Sequence, residues 1–272
     1  ILKIPGTVIG VRHLTGDEWT ENILSQLGSN TGMLVLSHVL SGTGMILPIA
    51  RIARETRRRG IVLVVDGAYG PGAIPINLQI LQDVDFYGCS LYKWMMGPKG
   101  TAFGWVAKRH QEHLQSGQAG WTTYETFGPF SAFGGGSRFQ QAFALSGCHD
   151  FAPFRAIDDT LRLWEDLTPA FIRSRMAKLR FMLEQEITGK LGWMRVASVR
   201  DETLNGPLLT FAVPSRLQPD GPRLLGTIRD KLRIQINTVC LRNTWHVIFS
   251  PHFYNTESEI VEAVDRLRRF VR

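Results

Sequence analysis

The chain has 272 residues, of which 44% are hydrophobic and 20% are charged. This composition is typical of a folded globular protein and excludes disordered, collagen-like and low-complexity classes. The 31 Lys and Arg residues outnumber the 24 Asp and Glu residues, which gives a formal net charge of +7 and favours anionic small molecules or an acidic partner surface. We expect no nucleic-acid partner, because no signature of a nucleic-acid-binding module is present.

The three cysteines, Cys89, Cys148 and Cys240, are an odd number without a Cys-x-x-Cys motif. Neither a disulfide framework nor a zinc site is therefore expected, and this cysteine usage fits a reducing compartment. No apolar run approaches the roughly 18 residues of a membrane-spanning helix, and the N-terminus lacks a signal-peptide pattern. We expect a cytoplasmic protein without a membrane partner. Because the chain starts at Ile1 and its first residues resemble a strand, we also expect an N-terminal part of the fold to precede it.

Apolar runs alternate with helical periods through the first half of the chain, a pattern typical of βαβ units in a mostly parallel sheet. Residues 17–27 and 46–59 carry apolar side chains at helical spacing and are predicted to be helices. The predicted strands are short, apolar and mostly β-branched or aromatic, and they cover residues 8–11, 33–36, 61–65, 84–87 and 102–106.

The stretch from residue 117 to 137 differs from the rest because glycines are interspersed with aromatic side chains. It is predicted to form a long loop, which is uncommon in a compact domain unless it has a function. The aromatic part, residues 121–133, could be an active-site wall for a bulky substrate or a loop at a dimer interface. Both alternatives remain open from the sequence.

The C-terminal part is predicted to be a small α+β domain that follows a helical tract over residues 151–190. Thr256-x-x-Glu259 is a capping box, which starts a final helix. The other predicted elements of this domain are strands at 208–213 and 245–250 and a helix at 222–231. We therefore expect a large domain over residues 1–152, and a bridging helix with the small domain over residues 153–272.

A carboxylate and a lysine follow two successive predicted strands. Asp66 ends the first of these strands, and the next strand leads to Lys93. Since ligands bind outside the carboxyl ends of strands in open α/β sheets, both side chains are expected in one crevice. Pyridoxal phosphate (PLP) is a cofactor that needs a lysine Schiff base and a carboxylate on its ring nitrogen. Alone, Asp66 could be a helix N-cap and Lys93 a surface cation, but the two together favour PLP.

Four ordered blocks extend this pattern over most of the chain. They are Ser37-His38-Val39-Leu40-Ser41-Gly42-Thr43-Gly44 with Pro48, then Asp66-Gly67-Ala68, then Tyr92-Lys93-Trp94 with Gly97-Pro98-Lys99-Gly100, and Ser250-Pro251-His252-Phe253-Tyr254-Asn255-Thr256. Together they resemble the class V aminotransferase-like family of fold-type I PLP enzymes, which includes cysteine desulfurases, isopenicillin N epimerases, kynureninases and C–S lyases. The resemblance implies an α/β fold, with a large domain built on a mostly parallel sheet, a small C-terminal α+β domain, and a homodimer.

The resemblance also implies roles for individual residues. Lys93 would form the Schiff base with PLP and move the substrate proton, and Asp66 would keep the ring nitrogen protonated. The other cofactor-binding residues implied in this way are Ala68, Tyr69 and Ser41, with Tyr69 and Ser41 near the ring hydroxyl or substrate, and Ser90 and Tyr92 near the phosphate.

The chain departs from the family pattern in four ways. Tyr92 replaces the usual histidine before the lysine, and its hydroxyl can still donate a hydrogen bond. Cys148 stands where a threonine would contact a neighbouring subunit's phosphate. Ile248 replaces the arginine that binds the substrate carboxylate, which an isoleucine cannot do, and Arg242 in the preceding loop is the nearest substitute. The phosphate loop and the ring-stacking aromatic residue are not visible before Ser37.

Two further residues have alternative interpretations. His38 has the family's place after a strand and is expected to be a hydrogen-bonded structural histidine. Cys240 could mimic the persulfide nucleophile of a desulfurase, but buried packing is the favoured interpretation for a cysteine between Val239 and Leu241.

These observations predict a PLP-dependent enzyme that acts on an amine or amino-acid substrate, with C–S lyase or other β-elimination chemistry favoured. Epimerisation, aminotransferase-like chemistry and decarboxylating oxidative deamination are the alternatives. A different class of function is a catalytically inactive paralogue that binds a partner, which Ile248, Cys148 and the missing N-terminal motifs would suit.

Overall fold

The computed structural model describes residues 15–117, 137–144, 150–197 and 201–271. Its larger sheet contains four strands in the order β1 (Met33–Ser37), β2 (Val62–Asp66), β3 (Phe86–Ser90) and β4 (Ala102–Val106). The first three strands are parallel, and β4 is antiparallel to β3. The predicted mostly parallel sheet is therefore confirmed.

Helices α1 (Gly16–Ser25) and α2 (Ile49–Arg58) belong to a core of buried apolar side chains that includes one face of this sheet. The predicted second helix starts three residues too early, because residues before Pro48 make other contacts. Ile46 forms an antiparallel bridge with Val39, and the Leu47 N–H donates to the His38 carbonyl at 2.8 Å. Two shorter helices follow the sheet, α3 (Lys108–Gln111) and α4 (Arg138–Ala144).

The predicted single helical tract is three helices, which are α5 (Ala152–Arg155), α6 (Ile157–Leu167) and α7 (Pro169–Leu191). Thr168, with a φ of +60°, separates α6 from α7 and caps α7 by accepting the Phe171 N–H. Its left-handed backbone and the following Pro169 break a continuous helix at this point. None of the helices in the described ranges is long and apolar enough to cross a membrane.

The C-terminal part is an α+β unit, as predicted, built on a second sheet. This antiparallel sheet has the order β5 (Leu209–Ala212), β7 (Thr244–Phe249), β6 (Asn237–Leu241). Helix α8 (Gly221–Thr227) continues as a π-helical turn over Ile228–Leu232. Helix α9 (Glu257–Phe270) begins at the predicted capping box, which is present in full, and buries Ile260, Val264 and Leu267.

Strand β6 corrects the prediction of a loop before β7. Arg242 and Asn243 form the two-residue connection between these strands, with φ values of +48° and +59°. Positive φ at both central residues is the geometry of a type I′ hairpin turn. Arg242 is thus held at the tip of a β-hairpin.

Three predictions fall on residues that the structure does not describe. The strand expected at 8–11, the aromatic loop at 121–133 and the phosphate role of Cys148 lie outside the described ranges. The domain boundary at residue 152 stays a prediction as well.

Asp85, just before β3, is the centre of a buried polar cluster. Its carboxylate accepts hydrogen bonds from the Leu63 N–H at 2.7 Å, from Arg109 Nη2 at 2.6 Å and from His110 Nε2 at 2.5 Å. Burial raises the pKa of the carboxyl group, but the hydrogen bonds from Leu63, His110 and Arg109 outweigh this effect and hold the pKa below its usual value. The Asp85 side chain accepts the hydrogen bond from the Leu63 N–H, which a backbone carbonyl of the neighbouring strand would otherwise accept. This explains why β3 starts later than predicted.

Asp85→Asn is expected to lower the free energy of unfolding by about 2 to 3 kcal/mol, because it leaves the Arg109 guanidinium without its charged partner. Since the folded pKa is depressed, the stabilisation is present above the unfolded pKa of about 3.9 and is lost as the pH falls through the folded value. Urea denaturation at pH 7 measures the change. Asp159→Asn, which removes an exposed ion pair with Arg162, is the control and is expected to have no measurable effect. Equal stability of the two variants would contradict the assignment.

Candidate active site

The carboxyl ends of β1, β2 and β3 meet at one edge of the large sheet, where Asp66 ends β2. The register pairs Asp66 with Ser37 of β1 and with Gly88 of β3. The Asp66 side chain is exposed, and its carboxylate accepts the Ala68 N–H at 2.9 Å. Among the described residues, no heavy atom lies within 4 Å of the position that a Cβ on Gly88 would take. The space beside the carboxylate is therefore open to a ligand.

Lys93 lies on the loop after β3 and contacts the segment that follows Asp66. Its Nζ lies 4.3 Å from the centroid of the Tyr69 ring, which is a favourable cation–π distance. Gly72 of the same segment has a φ of +85°, and a Cβ on it would lie 2.5 Å from the Trp94 carbonyl carbon. These contacts bring the segments of Asp66 and Lys93 together, while a shared crevice for the two side chains stays a prediction.

Two side chains from the C-terminal half fix the backbone just after Lys93. His252 Nε2 lies 3.1 Å from the Trp94 carbonyl oxygen, and its ring stacks on the Trp94 ring. Trp164 Nε1 donates to the Met95 carbonyl at 3.0 Å. Burial lowers the pKa of His252, so the ring is neutral and Nε2 must hold the proton that it donates. No role was predicted for His252, although the Ser-Pro-His block was a visible signal in the sequence.

Ser41 lies on the exposed turn after β1, and the small sheet contacts this turn. Thr210 Oγ1 donates to the Gly42 carbonyl at 3.0 Å, and a Cβ on Gly42 would lie 3.4 Å from the Leu241 side chain. The two phosphate candidates are also at this edge, with Ser90 at the end of β3 and Tyr92, 43% exposed, beside Lys93. The roles of these residues toward a cofactor stay predictions.

Ile248 lies on the face of the small sheet that covers the Ser41 turn. The register pairs it with Thr210, so both side chains project from the same face. Ile248 is 6% exposed and packs in an apolar cluster with Trp94 and Trp164. Ile248 is therefore a buried aliphatic side chain that offers no hydrogen-bond donor. Arg242 is exposed at the hairpin tip, one residue beyond Leu241.

Cys240 is exposed on β6, so the favoured interpretation as buried packing is wrong. Strand β6 is an edge strand, and it leaves this side chain without a covering element. The Cys240 backbone is nevertheless paired with Trp245 of β7. The thiol is therefore held on a sheet rather than on a long loop.

The residues at this edge fit PLP by their chemistry, because a carboxylate, an amine and hydroxyl groups lie beside an open space. A carboxylate at the end of one parallel strand and a lysine after the next strand are what a fold-type I PLP site requires.

Residues 10–221 match the family model of class-V aminotransferases, and the chain belongs to this family. It is 30% identical to the isopenicillin N epimerase of Amycolatopsis lactamdurans over 257 residues, which cover 93% of this chain and 63% of the epimerase. The family and the fold type predicted from the sequence are confirmed.

Two solved structures of C-DES share this fold. The cystine C–S lyase C-DES with its product cysteine persulfide has a TM-score of 0.77 and 22% identity, over 92% of this chain and 64% of that chain. A C-DES variant with glycine covalently linked to its PLP cofactor has a TM-score of 0.79 and 21% identity, over 97% and 66%. The chain thus spans 63% to 66% of the length of the epimerase and these two structures.

Proposed function

We propose that the protein is a PLP-dependent enzyme that acts on an amine or amino-acid-like substrate by C–S cleavage or another β-elimination. The observation that supports this proposal most is the contact of Lys93 with the segment that starts at Asp66, at the carboxyl edge of the sheet. When bound, PLP supplies an electron sink for negative charge at the substrate carbon.

The residues of this chain have separable tasks in the proposed reaction. Lys93 would hold the cofactor and then take the proton from the substrate carbon, since its amine lies against the Tyr69 ring, in the segment that follows Asp66. Tyr69 orients that amine through its ring face. His252 and Trp164 keep the loop after Lys93 in place, and Asp66 presents a negative charge to the ring nitrogen.

The position of Cys240 supports elimination over persulfide transfer. A desulfurase needs a thiolate that moves to the substrate sulfur, whereas Cys240 is on a paired strand. Ile248 and Trp94 make the substrate side apolar, so the substrate carboxylate must find a donor elsewhere or be absent.

Epimerisation is a second candidate, since the chain is 30% identical to an isopenicillin N epimerase. Both reactions begin with removal of the same proton, and they differ in whether a group leaves from the neighbouring carbon. Incubation in D₂O with a panel of amino acids separates them. Elimination releases the group on the neighbouring carbon, a thiol for C–S cleavage, together with a keto acid and ammonia. Epimerisation gives the deuterated opposite isomer, and an inactive paralogue gives neither.

Lys93 is expected to carry the cofactor covalently. The PLP-loaded protein should show a visible absorption band that borohydride removes, and mass spectrometry of its peptides should find the adduct on Lys93. Lys93→Ala should lose the band, while Lys99→Ala, six residues further on, should keep it. An adduct on another lysine, or none, would refute the assignment. The homodimer and the cytoplasmic location stay predictions.

A further inference from the structure

A buried pair of polar side chains, His38 and Tyr87, lies under the turn that follows Asp66. His38 is 8% exposed and Tyr87 is 1% exposed. His38 Nδ1 lies 3.0 Å from the Tyr87 hydroxyl, and the two rings meet edge to face. The hydrogen bond expected for His38 is confirmed, while no role was predicted for Tyr87.

Both members of the pair are neutral at physiological pH. Burial lowers the pKa of His38 to about 4. Burial also raises the pKa of Tyr87, and the charges of Cys89 and Asp66 raise it further. The contact is therefore a hydrogen bond between a neutral imidazole and a neutral phenol. The protonation of both partners stays the same between pH 6 and 9.

The pair contacts the Asp66 turn from two directions. A Cβ on Gly67 would overlap the Tyr87 ring, and a Cβ on Gly70 would lie 2.5 Å from the Tyr87 hydroxyl. The turn can rest on the ring only because these two residues have no side chain. In addition, the His38 N–H donates to the Asp66 carbonyl at 2.8 Å. One backbone contact at Asp66 and one ring contact at Gly67 and Gly70 thus hold the start of this turn.

We propose that His38 and Tyr87 are positioning residues that set the Asp66 carboxylate relative to Lys93. This inference deepens the proposed PLP function and rests on it. Without the Tyr87 hydroxyl, the buried His38 Nδ1 has no hydrogen-bond partner, and the His38 ring reorients. The turn that follows Asp66 then takes another position. A displacement of about 1 Å in an active site can reduce the rate about hundredfold.

The test compares Tyr87→Phe with a matched control, Cys89→Ala, in the PLP-loaded protein. Cys89 lies two residues further along β3 on the same face and is buried, so its loss perturbs the same layer without breaking the pair. We expect Tyr87→Phe to shift the visible band and its pH dependence, and to lower kcat at least tenfold with KM within about twofold. Cys89→Ala should keep the band, its pH dependence and kcat.

A double variant separates positioning from stability. Tyr87→Phe with His38→Leu removes both polar partners, and such a replacement restores stability that a single change loses. We expect the melting temperature to recover while the band and kcat stay altered. Recovery of all three would show that the pair is only structural and would overturn the inference.

The cofactor-free protein gives a second readout. The ring ¹⁵N signals of His38 should shift in Tyr87→Phe and remain in Cys89→Ala, because they report the hydrogen bond directly. If the parent protein shows no PLP band, the proposed function fails and this inference fails with it. If the parent band is normal and Tyr87→Phe changes neither the band nor kcat, only the positioning inference is overturned.

Discussion

Asp66→Ala is expected to slow exchange of the substrate's Cα proton on the order of a hundredfold while the protein stays folded. A preorganised charge that stabilises the reacting group contributes about this much in other active sites. The Asp66 carboxylate would keep the ring nitrogen protonated, and an unprotonated ring is a weaker electron sink. The fold survives because the turn keeps two backbone hydrogen bonds, from Gly70 N–H to Gly67 and from His38 N–H to Asp66.

The measurement is NMR detection of deuterium exchange at Cα in D₂O, with the melting temperature as the test of folding. Asp66→Asn keeps the shape and removes the charge, so it should be nearly as slow as alanine. Asp159→Ala, an exposed aspartate on α6, should exchange at the parent rate. Parent-like exchange in Asp66→Asn would show that the charge has no part in the reaction.

The sequence predicted elements whose signals are local. The apolar runs of β1, β2 and β4 lie within one residue of the predicted ranges, since a short buried strand needs little beyond its own residues. The start of α9 follows from Thr256 and Glu259, which bond each other's backbone N–H groups within one turn. The order of Asp66 and Lys93 was also visible, because each follows a strand.

The features that could not be predicted depend on contacts between distant segments. Within the described residues, strand β6 pairs with β7 alone, and the first residue of its turn is an arginine at positive φ, where glycine or asparagine is the usual signal. The contact of His252 with the Trp94 carbonyl joins residues from the two halves of the chain. Tyr87 was predicted only as a strand residue, because nothing near it in sequence indicates His38 as its partner.

Arg242→Ala is expected to lower kcat/KM for substrates that carry an α-carboxylate by about tenfold to a hundredfold. Hydrogen bonds to charged groups contribute about 1.5 to 3 kcal/mol, which corresponds to that range. Ile248 is buried and offers no donor at the position where the resemblance implies a carboxylate-binding arginine. A carboxylate left unpaired there would cost several kcal/mol in desolvation. Arg242 is at the tip of the hairpin, and Leu241 of the same hairpin contacts the Ser41 turn. We therefore propose Arg242 as the donor for the substrate carboxylate.

Two controls separate charge from geometry. Arg242→Lys keeps the charge but loses the planar guanidinium fork, so it should recover only part of the activity. Arg233→Ala removes another exposed arginine of the small domain, which also has a positive φ of 57°. This variant should have the parent kcat/KM on every substrate. Like Arg242→Ala it places an alanine at a position with positive φ, but it does not change the site.

Ile248→Arg completes the test by returning the donor to its family position. It should raise turnover of simple α-amino acids if the site is otherwise intact, and it should partly rescue Arg242→Ala, since either guanidinium can pair with the carboxylate. Because Ile248 is buried beside Trp94, the melting temperature must show that Ile248→Arg is folded. Ile248→Met, which conserves the side-chain volume, is the control. If Arg242→Ala is silent and folded Ile248→Arg does not improve amino-acid turnover, no carboxylate is bound on this side. An amine without that carboxylate, or an inactive paralogue, is then favoured, and turnover of simple amines distinguishes the two.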